Sequence, residues 1–196
     1  MYKICSTEQS RQRQRQIENA LLELLLTEKY EDITITELCT RLKMPRKAFY
    51  RYFESKESAL IGMLEHTIAE YQQGNTESIA DDDRSLQREL EGFFVFWQER
   101  KHILDAVERN SLTGYLIELS VDFPVKNIVS LEKFLPKESD EMRTLIFRFA
   151  IGGLVFTMLE WYRDGFRQSV PEVARRASRI LSKPLFPNLS ELGIKV

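Results

Sequence analysis

The sequence predicts an all-α chain in two functional parts: three short helices within residues 1–55 and a larger helical part over 56–196. Three observations predict it. Apolar residues recur at spacings of three and four through most of the chain, the period of a helix with one buried face. Val, Ile and Thr nowhere build a sustained alternating run, so no strand is expected. Eight glycines and six prolines in 196 residues sit mostly at the edges of the periodic stretches, where they stop helices.

The first helix is expected over residues 7–27, with Ile17, Ala20, Leu21, Leu24 and Leu25 on its buried stripe. Arg11, Arg13 and Arg15 precede that stripe, separated by glutamines, and read either as part of a disordered polar arm or as a basic stretch that reaches a polyanion backbone. After the polar break at 28–32, Thr34 with Glu37 three residues on has capping-box spacing. Leu38, Cys39 and Leu42 then line a short second helix. Lys43 and Met44 form a tight connection before Pro45, which suits a first helical turn. A third short helix, 45–52, sets Phe49 inward. Ser55 fits as the cap of a fourth helix, which ends near Gly74.

A polar linker follows at 75–83. Beyond it, one helix carries Leu86, Leu90, Phe93, Phe94, Phe96 and Trp97, and a shorter one Ile103, Leu104 and Val107. Tyr115, Leu116 and Leu119 lead to a break at Pro124, and Pro136 marks another. The longest helical pattern runs over 139–164 and stops at Gly165. Pro171 opens a last helix with Val173, Ala174, Ala177, Ile180 and Leu181 on one stripe; Pro184 and Pro187 end it.

Composition excludes several classes. The longest uncharged run in the most apolar region, 149–159, has 11 residues, whereas a membrane span needs about 20. The N-terminus has no apolar leader. Cys5 and Cys39 are too few for a disulfide framework or a four-ligand zinc site. The expectation is a cytoplasmic, reduced protein with no membrane partner. His66 and His102 are isolated, no metal-ligand spacing occurs and there is no glycine-rich phosphate loop, so neither enzyme activity nor a cofactor is expected.

The net charge is −2, but its distribution is uneven. Residues 41–56 hold Arg41, Lys43, Arg46, Lys47, Arg51 and Lys56 against Glu54 alone. Helix, tight turn, short basic helix is the order of a helix-turn-helix DNA reader. Arg46, Lys47, Tyr50 and Arg51 point outward if Phe49 packs inward. Arginine suits the paired acceptors on guanine, and lysine reaches the same edge. Tyr50, Tyr52 and Lys56 have the donors and reach for phosphates.

Residues 30–60, YEDITITELCTRLKMPRKAFYRYFESKESAL, resemble the DNA-binding segment of the tetracycline-repressor (TetR) family. The resemblance rests on Tyr30, Thr34, Ile35, Leu38, Cys39, Met44, Ala48, Phe49, Tyr50, Phe53, Lys56, Glu57 and Leu60. The Tyr-x-x-Phe-x-x-Lys-Glu-x-x-Leu run from Tyr50 to Leu60 is its specific part. The resemblance implies that Arg46, Lys47 and Ala48 face base edges, and that Thr34, Thr36, Tyr50, Arg51, Tyr52 and Lys56 hold phosphates. Four positions depart from the pattern. Lys29 and Lys43 stand where glycines are usual, Pro45 replaces a capping serine and Lys47 a small residue. The lysines add positive charge near DNA. A left-handed backbone costs a non-glycine residue about 1–2 kcal/mol, so a right-handed turn is expected at Lys43.

The resemblance further implies that the second part holds a ligand cavity and a dimer face. Residues 142–162 are apolar nearly all round, so both sides need a cover, one of them a second subunit. Gly152 and Gly153 inside this run suit the close approach of another helix. Trp97, Tyr115, Met158, Trp161 and Tyr162 are the candidate cavity-lining residues. Arg148 reads either as a partner of Glu132, Glu138 or a carbonyl, or as an anchor for an anionic ligand. The expected partners are operator DNA, a second copy and a small-molecule effector. The expected function is that of a ligand-responsive, sequence-specific DNA-binding regulator; the alternative is a regulator of the same fold that acts mainly through a protein partner.

Overall fold

A computed structural model of the chain describes residues 2, 5, 7–76, 85–122 and 137–182. Of the linker expected at 75–83, residues 75 and 76 belong to the fourth helix, while 77–83, the breaks at Pro124 and Pro136 and the terminal Pro184 and Pro187 lie outside the described residues. Among the described residues there are nine helices and no strand. They are α1 (Glu8–Leu25), α2 (Ile35–Arg41), α3 (Arg46–Phe49), α4 (Lys56–Thr76), α5 (Leu86–Glu99), α6 (Lys101–Arg109), α7 (Thr113–Asp122), α8 (Asp140–Arg163) and α9 (Val170–Leu181). Two compact units divide them. One comprises Met1–Gly74 with Arg100–Phe123, the other Asn75–Glu99 with Pro124–Val196. This division by packing differs from the expected split after residue 55.

In the first unit, Thr7 caps α1, accepting from the Ser10 N–H at 3.2 Å. The helix therefore begins at Glu8, and Arg11, Arg13 and Arg15 are helical rather than parts of a loose arm. Ile17, Ala20, Leu21, Leu24 and Leu25 are buried as the spacing predicts. They pack with Ile33, Leu38, Phe49, Phe53, Leu60 and Leu64, all nearly water-free; each such side chain contributes about 1.5–3 kcal/mol by leaving water. Thr34 caps α2, accepting from Glu37 N at 3.1 Å. Ser55 and Ser58 cap α4 reciprocally, each backbone N–H donating to the other's hydroxyl at 3.0 Å.

Three helices end by one device. Met44 N donates to Cys39 O and Lys43 N to Thr40 O, which closes α2 around Lys43 at φ 48°. Ser111 at φ 56° closes α6 in the same way, and Gly165 at φ 71° closes α8. In each case the next residue is apolar, as is common after such left-handed caps, and Met44 and Leu112 are buried. The Phe166 ring lies 4.5 Å from that of Trp161. The expectation of a right-handed turn at Lys43 is therefore corrected. Two backbone bonds and the burial of Met44 hold a conformation that lysine alone disfavours.

The second unit packs α5 against α9, with α8 against both. Ala174 and Ala177 are buried, and their small side chains let α9 lie close to α5. Ser139 caps α8, accepting from Met142 N at 3.3 Å. Phe147, Ile151, Leu154, Val155, Met158, Leu159 and Trp161 form the inner side of α8. Its other side is uncovered: Met142, Leu145, Phe149 and Phe156 are exposed. A Cβ at Gly153 would meet nothing within 4 Å. Among the described residues, α8 alone is long and apolar enough by composition to cross a membrane. Arg148 and Glu160 bracket its uncharged run and its inner side is core, so it is the core helix of this unit with one bare face.

Candidate nucleic-acid interface

The α2–α3 segment is a helix-turn-helix. Its short second helix follows from the sequence at both ends. Pro45 stands at the N-cap and makes no side-chain cap bond. The α-helix ends four residues later, where Arg51 N and Tyr52 N bond three residues back, and Phe49 and Phe53 are both buried. Their rings lie 5.8 Å apart. With that inner edge fixed, Arg46, Lys47, Tyr50 and Arg51 are exposed. The Arg46 guanidinium donates to the Tyr50 hydroxyl at 3.3 Å. Thr34, Thr36 and Lys43 are exposed as well. This is an outer face of guanidinium, ammonium and hydroxyl donors, without a carboxylate on α3.

Ala48 and Tyr52 are half-buried and turn toward α1. With Arg51 they line one wall of an open groove of about 610 Å³; Gln9, Ser10, Gln12, Arg13 and Gln16 line the other. Arg13 donates to Gln16 at 2.7 Å and to the Leu42 carbonyl at 3.4 Å, so it faces the loop that enters the turn. The sequence reading favoured a disordered arm for Arg13 and did not single out Gln9, Gln12 and Gln16 on the α1 side of this groove. The available signal was Thr7, whose capping position makes the Arg–Gln run helical.

Lys56 is engaged elsewhere. Its ammonium donates to the carbonyls of Tyr30, of Ile33 at 2.7 Å and of Glu31 at 3.4 Å. It also lies 4.2 Å from the centre of the Tyr30 ring. Burial pushes this ammonium below its ordinary pKa. The side chain expected to hold a phosphate instead secures the α1–α2 loop. Lys29, though exposed, is likewise engaged within the chain, donating to the Arg109 carbonyl at 2.8 Å. Arg41 pairs with Glu23 at 2.7 Å.

No family model matches the chain. Over 75 residues it is 32% identical to the HTH-type transcriptional regulator EthR of Mycolicibacterium smegmatis, a match covering 36% of this chain and 35% of that protein. The chain thus matches about a third of that relative's length. A TetR-family transcriptional regulator from Haemophilus influenzae shares its backbone at a TM-score of 0.59 and 14% identity, over 88% of this chain and 98% of that one. The chain has the TetR-regulator fold. A second structure of this kind, the transcriptional regulator FadR from Bacillus subtilis in complex with stearoyl-CoA, agrees at a TM-score of 0.55 and 14% identity, over 85% and 96% of the two chains. The TetR-like run read from residues 30–60 and the backbone therefore point the same way.

Within this TetR-type fold the candidate cavity residues are divided between the two units. Trp97, Met158 and Trp161 are buried in the second unit. The Trp161 ring stands edge-on to Phe94 at 5.3 Å, and its Nε1 donates to the Gln168 carbonyl at 2.9 Å. Tyr162 is half-buried, 5.8 Å from Phe166. Tyr115 belongs to the first unit, where its hydroxyl donates to Glu57 at 2.6 Å. Arg148 is exposed on α8, beside a shallow groove with Asp140, Glu141, Thr144 and Leu145.

Proposed function

We propose that the chain is a sequence-specific DNA-binding transcriptional regulator of the cytoplasm. It works as a homodimer and leaves operator DNA when a small molecule enters its helical part. The exposed donor face of Arg46, Lys47, Tyr50 and Arg51, presented by a helix-turn-helix, carries this reading. Arg46 and Lys47 sit at the start of the recognition helix, the end that meets base edges in the major groove. Tyr50, Arg51, Thr34 and Thr36 flank it at the level of the phosphates. The α1 wall of the groove, Gln9, Gln12, Arg13 and Gln16, adds amide and guanidinium donors beside the same strand.

The bare face of α8 supports the dimer. Exposed Leu145, Phe149 and Phe156, with an unfilled Gly153 among them, give a second helix room to approach closely. A twofold pair of this kind places two recognition helices about 34–36 Å apart along one side of DNA. An effector that favours another spacing releases the DNA by population shift, given a few kcal/mol of preference.

The testing experiment is a titration of the protein's own upstream region at two salt concentrations. Sequence-preferring affinity that falls steeply with salt supports the reading, since each phosphate contact contributes about 0.9 to the slope. Affinity without preference, or without salt dependence, rejects it.

A further inference from the structure

In the first unit, the C-terminal ends of two helices meet at a single side chain. Asn110 closes α6 and is 5% exposed. Its amide nitrogen donates to the Ala106 carbonyl at 2.8 Å and to the Leu25 carbonyl at 2.9 Å. Its amide oxygen accepts from the Tyr30 N–H at 2.7 Å. Ala106 lies in the last turn of α6 and Leu25 in that of α1. Carbonyls there lack partners within their own helix, so one amide satisfies an end of each.

The surroundings strengthen the junction. Arg109 donates to the Thr27 carbonyl at 3.1 Å, and Lys29 returns a bond to the Arg109 carbonyl at 2.8 Å. Both cations stand where two helix dipoles place their negative ends, a favourable location. On the α4 side, Lys56 holds the Tyr30 and Ile33 carbonyls. The loop joining α1 to α2 is thus fastened on both sides by donors from outside it. It runs directly into Thr34, the cap of α2.

We propose that Asn110 is a positioning residue for the DNA reader. Through Leu25 and Tyr30 it sets where α2 and α3 stand relative to α1, so that the end of α6 and the reader keep one geometry. This rests on the DNA-binding reading above. The chemistry at this position is demanding. The amide has two donors and one acceptor in use toward three backbone groups. Aspartate keeps the acceptor for Tyr30 but turns lone pairs toward two carbonyls. Alanine loses all three bonds. Lys29 and Arg109 reach their partners on long stems, and the loss of either is tolerated better.

The test uses full-length protein and the variants Asn110→Ala, Asn110→Asp and Lys29→Ala, each at a temperature where circular dichroism shows it folded. Two quantities are read: hydrogen exchange of the Tyr30 amide without DNA, and affinity with its salt slope on a duplex from the protein's own upstream region. Asn110→Ala is expected to raise Tyr30 exchange at least about tenfold. It is expected to weaken binding about tenfold, as lost buried hydrogen bonds do, with a shallower salt slope because fewer phosphates are reached together. Asn110→Asp should follow alanine rather than wild type, and Lys29→Ala should show a smaller change in the same direction. Unchanged Tyr30 exchange overturns the proposal. So does faster exchange with wild-type affinity and slope, which would reduce Asn110 to a helix cap. If Asn110→Ala does not fold, Asn110→Asp and Lys29→Ala decide on the same readouts. Variants that bind like wild type sink this inference alone, whereas a wild-type protein that prefers no duplex sinks the reading beneath it.

Discussion

Glu18 Oε1 stands 2.8 Å from His66 Nδ1, joining α1 to α4 inside the unit that carries the reader. The Glu18 carboxylate is 1% exposed and also pairs with Arg15 at 3.3 Å. Arg15 in turn reaches Glu70, which Arg100 contacts at 3.5 Å. Gly62 makes room for this approach. A Cβ there would come within 3.1 Å of the Phe53 ring and 3.3 Å of Glu18 Oε1. The Tyr2 ring covers the site from outside, 5.3 Å from the His66 ring.

Removing His66 leaves a buried carboxylate with fewer partners. His66→Ala is expected to lower stability by about 1–3 kcal/mol, read as a lower urea midpoint. Glu18→Gln in the same background should recover part of that loss. A double-mutant cycle with no coupling energy would show that the two side chains act independently.

Lys43 sets stability against binding. Its backbone at φ 48° favours glycine. Lys43→Gly is therefore expected to stabilise the fold by about 1 kcal/mol, since the left-handed penalty disappears. The same change removes an exposed cation beside α3. The slope of log affinity against log salt should then shrink by about 0.9 if one phosphate contact is lost. A higher melting temperature with weaker, less salt-sensitive DNA binding is the combined outcome. An unchanged slope would place Lys43 away from the phosphates.

The bare face of α8 gives a paired prediction. Gly153→Ala adds a methyl to open space within the chain, so an isolated subunit should gain up to about 1 kcal/mol of helix propensity. In a dimer whose helices approach at that point, the methyl costs contact. Sedimentation is expected to show weaker self-association for Gly153→Ala and a monomer for Phe149→Glu. Phe149→Glu protein that sediments as wild type would move the interface elsewhere.

Tyrosines around the first unit respond to alkali. Burial pushes Tyr30 up to about 12, with Tyr115, Glu57 and Glu31 adding repulsion to its ionised form. Tyr115 is raised first by its bond to Glu57 and then by burial. A raised phenol contributes stability that is complete below the unfolded value near 10. That stability is lost as pH climbs from there toward 12. Lys56, lowered mainly by burial, works in the opposite direction. Tyr30→Phe isolates the phenol and keeps the ring under Lys56. The variant is expected to lose less stability than wild type between pH 10 and 12, measured by urea midpoints. Equal losses would mean that the Tyr30 hydroxyl ionises as freely as in water.

Much of this arrangement was legible in the sequence because it depends on local rules. Thr34, with Glu37 three residues on, and Ser55 cap helices where the sequence places them. Gly165 ends α8 for the reason glycine usually ends helices. Phe49 is buried, as the reading of the third helix set it. What escaped the reading depends on distant partners. Lys29 and Lys56 looked like free cations because nothing nearby in the sequence shows the carbonyls they meet. Lys29 bonds Arg109, 80 residues away. Asn110 reads as an ordinary turn residue until Leu25 is brought beside it. Tyr115 grouped with Trp97 and Trp161 by composition, yet its hydroxyl is bound to Glu57.

The four-residue α3 has a thermodynamic consequence. Tyr50 N to Arg46 O at 3.2 Å is its closing turn; the bonds that follow at Arg51 and Tyr52 span three residues, and Phe53 N to Phe49 O at 3.1 Å spans four. Pro45 gives it no side-chain cap, and Phe49 is its one fully buried anchor. So short a helix is expected to lie toward the low end of the unit's local stability. Fixing each loosened residue on DNA costs about 1–2 kcal/mol in chain entropy. Calorimetry of the complex should then record a favourable enthalpy offset by an ordering entropy, with a negative heat-capacity change. Substitutions that stiffen residues 46–52 without touching DNA should tighten binding by removing part of that entropy before the encounter.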